Sequence, residues 1–270
     1  MSSTMSCVVI TRPLAQAQSL AARIAEQGRQ VVVLPLLDIQ ALPNDSELLP
    51  LLQQALRHVA DYALVAFVSP NAIAHCFAQM HALGLVWPPS TAIAVIGEGS
   101  RLALAEFAIN GAAVFCPHDK LRTDSETLLQ ALDLTKLRGQ RALIVRGQSG
   151  RELLGDALRA AGVFVVQVAA YQRLPVDCDV AMQRQLFALL QQRNDWLLTS
   201  SEALRHLMQI IQKMQESNAD YAKLVVNMQQ QHLIVPHARI AETARELGFC
   251  QITQSAAGDE GMLAALQSRL

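Results

Sequence analysis

The sequence contains one strand–helix–strand unit twice, and this repetition limits the fold more than any other feature. The first copy runs from Cys7 to Gln40 and the second from Arg138 to Pro175. Each copy has an arginine at the end of its first strand and a glycine at the end of its helix: Arg12 and Gly28 in one, Arg146 and Gly162 in the other. An apolar run, a turn and an amphipathic helix in this order are typical of a β-α-β unit.

The rest of the chain also follows one pattern twice, with a spacing of about 134 residues that separates Arg12 from Arg146. Each half has a strand–arginine–helix–glycine unit, a strand–serine–helix unit and a strand–turn–helix–glycine unit. Strands that alternate with helices form parallel sheets, because the helix carries the chain back to the start of the next strand. The sequence therefore predicts two similar α/β domains, each with a parallel sheet.

A proline indicates where the chain leaves the first domain. Pro35 interrupts the β-branched run from Val31 to Leu37, and a proline cannot donate a hydrogen bond to a neighbouring strand. We therefore expect a discontinuous first domain, an uninterrupted second domain and two paired linker strands. The expected ranges are 1–36 plus 174–270 for the first domain, 40–166 for the second, and 33–39 and 167–173 for the linker strands.

The composition disfavours several classes of protein. The formal net charge is -1 and no basic run is present, so a nucleic-acid partner, which needs clustered lysine and arginine, is not expected. The 5 cysteines form no CxxC pair and the 7 histidines have no metal spacing, so we expect no metal site. No apolar run approaches the roughly 20 residues of a membrane span, and no signal peptide is recognisable. We expect a cytoplasmic monomer without membrane contact.

Polar residues cluster in the turns that follow the predicted strands. In open α/β sheets, ligands bind beyond the carboxyl ends of the strands, where turns lead into helix N-termini. The candidate binding residues in these turns are Thr11, Arg12, Ser69, Asn71, Gly97, Ser100, Arg146, Gly147, Ser200, Ser201 and His237. Hydroxyl groups, backbone amides and two arginines suit an anionic ligand with several carboxylates or phosphates.

These residues also have structural explanations. The serines stand at predicted helix starts, where a hydroxyl caps the helix, and the two arginines can pair with acids. Gly97 and Gly99 match part of a dinucleotide-binding fingerprint, but Leu102 occupies the third glycine position. A nucleotide-dependent transferase is therefore disfavoured.

Tyr171 stands apart from these turns. It is one of 3 tyrosines, and it follows the predicted strand 164–170 at the expected junction of the two domains. Either it packs there, or its phenol donates a hydrogen bond into a cleft and assists a leaving group.

Short motifs in a fixed order resemble those of the uroporphyrinogen-III synthase family over nearly the whole chain. They are Thr11-Arg12-Pro13, Val68-Ser69-Pro70-Asn71-Ala72, Val95-Ile96-Gly97-Glu98-Gly99-Ser100, Arg146-Gly147, Val168 to Arg173, Thr199-Ser200-Ser201-Glu202 and Val235-Pro236-His237-Ala238-Arg239-Ile240-Ala241. The resemblance implies two flavodoxin-like α/β domains joined by a two-stranded hinge, with the site in the cleft between them.

The resemblance also implies an activity. Enzymes of this family use no cofactor and convert hydroxymethylbilane to uroporphyrinogen III, losing water and inverting the last pyrrole ring through a spiro intermediate. Tyr171 matches the family tyrosine thought to assist loss of the hydroxyl group. Ser69, Ser100 and Ser200 are expected to bind the acetate and propionate arms or to organise backbone amides. The resemblance also implies a transient contact with the preceding pathway enzyme, which supplies this unstable substrate.

A function of another class fits the same pattern. A non-catalytic two-domain binding module that closes on a small polyanionic ligand would also have duplicated halves and turns rich in backbone amides. The missing export signal and the absence of a fused output domain count against it.

Overall fold

A computed structural model describes most of the chain. The described residues are 6–107, 109, 111–117, 125–150, 152–218, 221–256 and 258–268. The chain divides into two compact units, the first formed by Met1–Asp38 and Leu174–Leu270 and the second by Ile39–Arg173. No helix within the described ranges is long and apolar enough to cross a membrane.

Strands and helices alternate along the described residues. The strands are β1 (Val8–Ile10), β2 (Val31–Val33), β3 (Leu37–Ala41), β4 (Leu64–Phe67), β5 (Ala92–Val95), β6 (Val114–Phe115), β7 (Arg141–Gly147), β8 (Phe164–Pro175), β9 (Asp195–Leu197), β10 (His232–Val235) and β11 (Gln251–Gln254). The helices are α1 (Leu14–Glu26), α2 (Leu48–Arg57), α3 (Pro70–Ala82), α4 (Glu98–Ala105), α5 (Ser125–Ala131), α6 (Leu134–Leu137), α7 (Leu153–Ala160), α8 (Val180–Leu189), α9 (Ser201–Ser217), α10 (Leu224–Gln229), α11 (Ala238–Glu246) and α12 (Gly258–Gln267).

The sheets of the two units have the same strand order. The first sheet is β2-β1-β9-β10-β11, and the second is β3-β8-β7-β4-β5-β6. Without β3, the second sheet matches the first strand for strand, because β1–β2 and β7–β8 are the two copies of the repeated unit. The pairs among these matching strands are parallel in both sheets. The predicted mixed α/β fold with parallel sheets is confirmed.

Both faces of each sheet are buried, as β1 illustrates. Val9 belongs to an apolar cluster with Leu204 of α9, whereas Val8 and Ile10 belong to another with Leu20 of α1. Successive side chains of a strand point to opposite faces, so a strand covered by helices on both sides is apolar throughout. This burial explains why strands such as Val8–Ile10 and Ala92–Val95 are continuous apolar runs rather than alternating ones.

The glycines predicted to end the first helix of each repeated unit do so. Gly28 and Gly162 have φ angles of 79° and 84°. A residue with a Cβ atom is strained in this left-handed region, so glycine ends the helix and turns the chain into the following strand.

The end of β8 differs from the prediction. The sequence predicts a strand over 164–170 and a linker strand over 167–173, whereas β8 is one strand that runs from Phe164 to Pro175 and contains Tyr171. The pairing with β7 explains the difference, because a register shift at the end of β7 places Gly147 opposite Tyr171. The backbone N–H of Gln148 also donates to the carbonyl oxygen of Tyr171 at 2.9 Å.

Buried charges lie at the amino ends of β9 and β10, in the first unit. The two carboxylate oxygens of Asp195 accept hydrogen bonds from Arg29 Nη2 at 2.6 Å and from His232 Nδ1 at 2.7 Å. Nε2 of His232 lies 2.9 Å from the hydroxyl of Thr253 in β11. Asp195, Arg29 and His232 are all buried. The carboxylate therefore joins the carboxyl end of α1 to three strands of the sheet.

The partners of Asp195, His232 and Arg29, together change its pKa more than its burial does. Burial alone would raise the pKa of its carboxyl group, but hydrogen bonds from His232 and Arg29 lower that pKa to about 2. A carboxyl group with a depressed pKa stabilises the folded protein above its unfolded pKa of about 3.9, and this contribution is lost as the pH falls toward the folded pKa.

We expect Asp195→Asn to lower the stability of the protein by roughly 3 kcal/mol at neutral pH, because Arg29 is left buried without a counter-charge. The difference in denaturation midpoint between the variant and the wild type should shrink as the pH falls from about 4 toward 2. Urea unfolding followed by circular dichroism at several pH values measures both effects. Asp45→Asn, at an exposed aspartate, serves as the control. A midpoint difference that is the same at all pH values would contradict the assignment.

Candidate active site

The predicted site residues follow three neighbouring strands in each sheet. In the first unit they follow β1, β9 and β10, and in the second they follow β7, β4 and β5. Parallel strands end at the same edge of their sheet, so each unit has one edge where polar turns and helix N-termini gather. Tyr171 extends the edge of the second unit, since β8 lies beside β7.

In the first unit, the predicted residues at the end of β1 are held by protein partners. Thr11 is buried, and its hydroxyl donates to the carbonyl oxygen of Leu197 at 2.9 Å. Nη1 of Arg12 donates to Asp259 Oδ1 at 2.5 Å, and Nη2 of Arg12 contacts Met262 Sδ at 3.2 Å. The guanidinium group is therefore already paired with a carboxylate of the protein.

The other predicted residues of the first unit begin helices. Ser200 is the N-cap of α9, and its hydroxyl accepts a hydrogen bond from the backbone N–H of Ala203 at 3.3 Å. Ser201 is buried and accepts a hydrogen bond from the hydroxyl of Thr243 at 3.1 Å. His237 is exposed at the N-cap of α11, and its side chain does not cap the helix.

Arg146 in the second unit is bound in the same way as Arg12. Its Nη1 donates to Glu152 Oε1 at 2.5 Å and to Gln167 Oε1 at 3.0 Å. Hydrogen bonds from Gln167 and then from Arg146 lower the pKa of Glu152. Both arginines of the repeated units thus end their strands paired with an acid from the start of a nearby helix.

Gly97 and Ser100 mark the start of α4, beyond β5. Gly97 is buried at the N-cap, and its carbonyl oxygen accepts from the N–H of Arg101 at 3.0 Å. Ser100 lies in the first turn and is 3% exposed. Asn71 lies half-buried in the first turn of α3. These residues lie at the same edge as Ser69, because β4 and β5 are neighbours.

The phenol of Tyr171 is the centre of a compact polar cluster. Tyr171 is 1% exposed. Its hydroxyl oxygen lies 3.1 Å from Oγ of Ser69 and accepts a hydrogen bond from Nη2 of Arg173 at 3.2 Å. The ring of His75 stacks on the Tyr171 ring, with centroids 5.6 Å apart. We refer to Ser69, His75, Tyr171 and Arg173 as the tyrosine cluster.

Gly147 determines how close the backbone of β7 comes to this phenol. A Cβ atom built at position 147 would lie 2.9 Å from Cζ and 3.1 Å from the hydroxyl oxygen of Tyr171. Real Cβ atoms do not come as close as 2.9 Å and seldom as close as 3.1 Å, so a residue with a Cβ atom would displace the phenol. Gly147 therefore acts as a packing residue for Tyr171 rather than as a separate ligand contact.

The N-terminus of α3 holds the other oxygen of the cluster. Ser69 is the N-cap of α3, and its hydroxyl accepts a hydrogen bond from the backbone N–H of Ala72 at 3.1 Å. Pro70 follows at the first helical position, where its missing N–H leaves no partner unsatisfied. The positive end of the helix dipole lies at this oxygen and favours negative charge nearby.

His75 contributes an uncharged ring to the cluster. It is half-buried in α3, one turn and a half after Ser69. Burial lowers the pKa of His75, which favours the neutral imidazole at physiological pH. The ring therefore packs against the tyrosine without adding a second positive charge to that of Arg173.

The structure brings three predicted residues, Ser69, Gly147 and Tyr171, into direct contact, and it adds two that sequence reasoning missed. Arg173 has a signal in the sequence, because residues two apart in a strand lie on the same face. The predicted linker strand 167–173 contains both Tyr171 and Arg173, but the sequence analysis assigned Arg173 no role in the site. His75 has no such signal, since its contact with Tyr171 depends on how α3 packs on the sheet.

Among the described residues, no three His, Cys, Asp or Glu side chains are grouped in a way that could hold a metal ion.

Comparisons with known proteins agree on one family. The family model described as "Uroporphyrinogen-III synthase HemD" matches residues 18–264. The uroporphyrinogen-III synthase of Escherichia coli (strain K12) is 30% identical over 261 residues, covering 96% of this chain and 99% of that protein. The uroporphyrinogen-III synthase of Salmonella typhimurium (strain LT2) is 31% identical with the same coverage.

Solved structures agree in fold. A mutant uroporphyrinogen III synthase from the extremely thermophilic bacterium Thermus thermophilus superposes with a TM-score of 0.58 at 17% identity, covering 97% of this chain and 98% of that one. The uroporphyrinogen-III synthetase of Helicobacter pylori 26695 gives a TM-score of 0.59 at 14% identity, covering 98% and 100%. With the family match over nearly its whole length, the chain belongs to the uroporphyrinogen-III synthase family.

Proposed function

We propose that this protein catalyses the reaction named by its family. It converts hydroxymethylbilane to uroporphyrinogen III, with loss of water and inversion of ring D through a spiro intermediate, as a cyclising lyase of porphyrin and heme biosynthesis. The observation that carries this conclusion is the match from residue 18 to residue 264, together with relatives of nearly equal length that bear the same enzyme name. The same observation favours the synthase over a non-catalytic binding module.

The chemistry of the substrate defines what the protein must do. Hydroxymethylbilane closes to the uninverted isomer I without an enzyme, so catalysis consists of assisting departure of the hydroxyl group and directing which carbon of ring D attacks. Such control of conformation needs many weak contacts to the acid arms and a dry site rather than a strong acid or a metal.

Tyr171 is the proton source for departure of the hydroxyl group in this proposal. The only ionisable hydroxyl in its cluster is the phenol, and the guanidinium of Arg173 stands 3.2 Å from the oxygen on which negative charge would develop. The guanidinium group therefore lies beside the oxygen that gives up the proton in this proposal.

The polar edges of both sheets bind the acetate and propionate arms. The N-termini of α4, α9 and α11 lie at these edges, and the positive end of a helix dipole favours carboxylates. The candidate contacts are Thr11, Arg12, Asn71, Gly97, Ser100, Arg146, Ser200, Ser201 and His237. Ser69 is set apart from them, because its hydroxyl oxygen is already held by Ala72 and Tyr171.

The proposal also includes a hinge, a cleft, a cytoplasmic location and a transient contact with another enzyme. The chain passes between its compact units twice, near residues 38 and 174, as a two-stranded hinge between the domains 1–36 plus 174–270 and 40–166 requires. Polar turns at one edge of each sheet suit a site in a cleft between those domains. The 5 cysteines are free thiols, which suits the cytoplasm. Transient contact with the preceding enzyme would limit loss of substrate to isomer I.

The activity itself is tested by product analysis. We expect the purified protein, supplied with freshly generated hydroxymethylbilane, to yield isomer III after oxidation and chromatographic separation of the uroporphyrins. A reaction without the protein gives isomer I and serves as the control. Isomer I alone in the presence of the folded protein would refute the synthase assignment.

We expect Tyr171→Phe to lower kcat by about 10²–10⁴-fold, because the phenyl ring keeps the packing but removes the proton. Initial rates of isomer III formation measure this change. Tyr221→Phe is the matched control, since Tyr221 packs against Phe187 in the first unit, away from the predicted residues. Wild-type kcat in Tyr171→Phe would remove the proton-donor role.

We expect Ser200→Ala to raise KM by about tenfold with little change in kcat, because a lost hydrogen bond to a charged carboxylate weakens binding by roughly 1.5 kcal/mol. Ser100→Ala should act in the same direction through the amides of α4. Asp179→Ala removes the N-cap of α8, as Ser200→Ala removes that of α9, and controls for helix capping alone. If Ser200→Ala and Ser100→Ala both have the KM of the wild type, as the control does, these serines do not contribute to binding.

A further inference from the structure

The hydrogen bonds around Ser69 and Tyr171 use only one of the two hydroxyl hydrogens. The N–H of Ala72 donates to Ser69 Oγ at 3.1 Å, and Arg173 Nη2 donates to the Tyr171 hydroxyl oxygen at 3.2 Å. The two hydroxyl oxygens lie 3.1 Å apart, so one hydrogen lies between them. The second hydroxyl hydrogen is not used by any of these bonds. The pair can therefore donate one hydrogen bond outward.

Burial indicates which hydroxyl presents that hydrogen. Tyr171 is 1% exposed, whereas Ser69 is half-buried at the carboxyl edge of the sheet, where α3 begins. An outward bond from Ser69 can reach a ligand at this edge, whereas an outward bond from the phenol would point into packed protein. In the resulting arrangement, Tyr171 donates to Ser69 and Ser69 donates outward. Ser69 Oγ then accepts two hydrogen bonds, from Ala72 and Tyr171, which uses both of its lone pairs.

We propose that Ser69 is the catalytic residue that donates to the departing hydroxyl group, and that Tyr171 replaces its proton through the hydrogen bond between them. This inference rests on the proposed function and names the atom that contacts the substrate. It departs from the expectation that Ser69 binds an acid arm, and it explains how a buried phenol assists a leaving group that it does not touch.

The transfer balances in atoms and charge. The carbon–oxygen bond of the hydroxymethyl group breaks, and its electron pair stays on oxygen. The nitrogen of the adjacent pyrrole ring supplies electrons, and this ring with its methylene carbon becomes a cationic azafulvene. The hydrogen of Ser69 moves to the departing oxygen to form water, and the hydrogen of Tyr171 moves to Ser69 Oγ. Tyr171 is left as a phenolate. When ring D recloses and loses its proton, that proton returns through Ser69 to the phenolate.

Arg173 and the start of α3 favour the charge that this transfer creates. The guanidinium carbon of Arg173 lies 5.8 Å from the centre of the Tyr171 ring, and its Nη2 donates directly to the oxygen that becomes negative. The N-terminus of the 13-residue helix α3 lies at the other oxygen. Both groups lower the energy of an anion at the pair relative to two neutral hydroxyls. Arg173 is thus a positioning and charge-stabilising residue for Tyr171.

The kinetics of Ser69 variants test the relay against the two simpler roles. If Ser69 relays a proton, Ser69→Ala should lower kcat about 100-fold with KM changed less than about threefold. Ser69→Thr keeps both the hydroxyl and the N-cap and should recover kcat to within about tenfold of the wild type. Asp179→Ala, which removes an N-cap outside the proposed site, should leave kcat unchanged. A raised KM with wild-type kcat in Ser69→Ala would mean that Ser69 binds an acid arm and would overturn the relay.

A proton inventory separates a relay from a single donor. With hydroxymethylbilane added by rapid mixing, the wild-type rate should depend on the deuterium fraction of the solvent as a curve, because two hydrogens move in one step. Tyr171→Phe and Ser69→Ala should each give a straight line or no dependence. A straight line for the wild type would overturn the relay. So would a large loss in Ser69→Ala with none in Tyr171→Phe, since Ser69 would then act alone.

The two proposals fail in different ways. If the wild-type protein forms no isomer III, the proposed function is wrong and the relay falls with it. If the wild type forms isomer III and Ser69→Ala forms it with the same kcat and KM, only the relay is wrong.

Discussion

Parallel pairing of three central strands in each sheet determines where chemistry can occur in this protein. Parallel strands all end at one edge, and each is followed by a helix whose first amides have no acceptor within the helix. Because the middle residues of the central strands are buried on both faces, the buried charged side chains of these strands lie near the strand ends. Asp195 and His232 begin β9 and β10, and Arg146 lies next to the last residue of β7. The carboxyl edge collects the hydroxyls, arginines and amides, and the amino edge of the first unit holds the buried Asp195 charges.

The two units use this common plan differently. In both, an arginine that ends the first strand of the repeated unit pairs with an acid, Asp259 for Arg12 and Glu152 for Arg146. Only in the second unit does the second strand continue past this arginine and bring Tyr171 to the edge. The register shift between β7 and β8 is the local cause. One extra residue in β8, between Ala169 and Tyr171, thus places a phenol at the edge of the second unit.

The sequence predicts the framework well, because periodicity, glycine-ended helices and duplication all reflect backbone geometry. Gly28 and Gly162 end helices as predicted, and the serine N-caps Ser69 and Ser200 accept the expected backbone bonds. Features without a local signal were missed. The short helix α10 has no capping side chain at its start, and the continuation of β8 depends on its pairing with β7. The tyrosine cluster was predicted in part, since His75 and Arg173 join it through packing and register rather than through any motif.

Gly147 makes the tyrosine cluster sensitive to even a small substitution in β7. The missing Cβ atom fixes the distance between the backbone of β7 and the phenol of Tyr171, with no contact to a ligand required. Even the smallest substitution, to alanine, would displace the ring by tenths of an ångström, which is enough to lengthen its bond to Ser69. Position 147 therefore accepts no side chain that would shift the Tyr171 ring by even a fraction of an ångström. A replacement that is conservative in size and polarity can therefore disturb both the packing of the buried ring and the geometry of the tyrosine cluster.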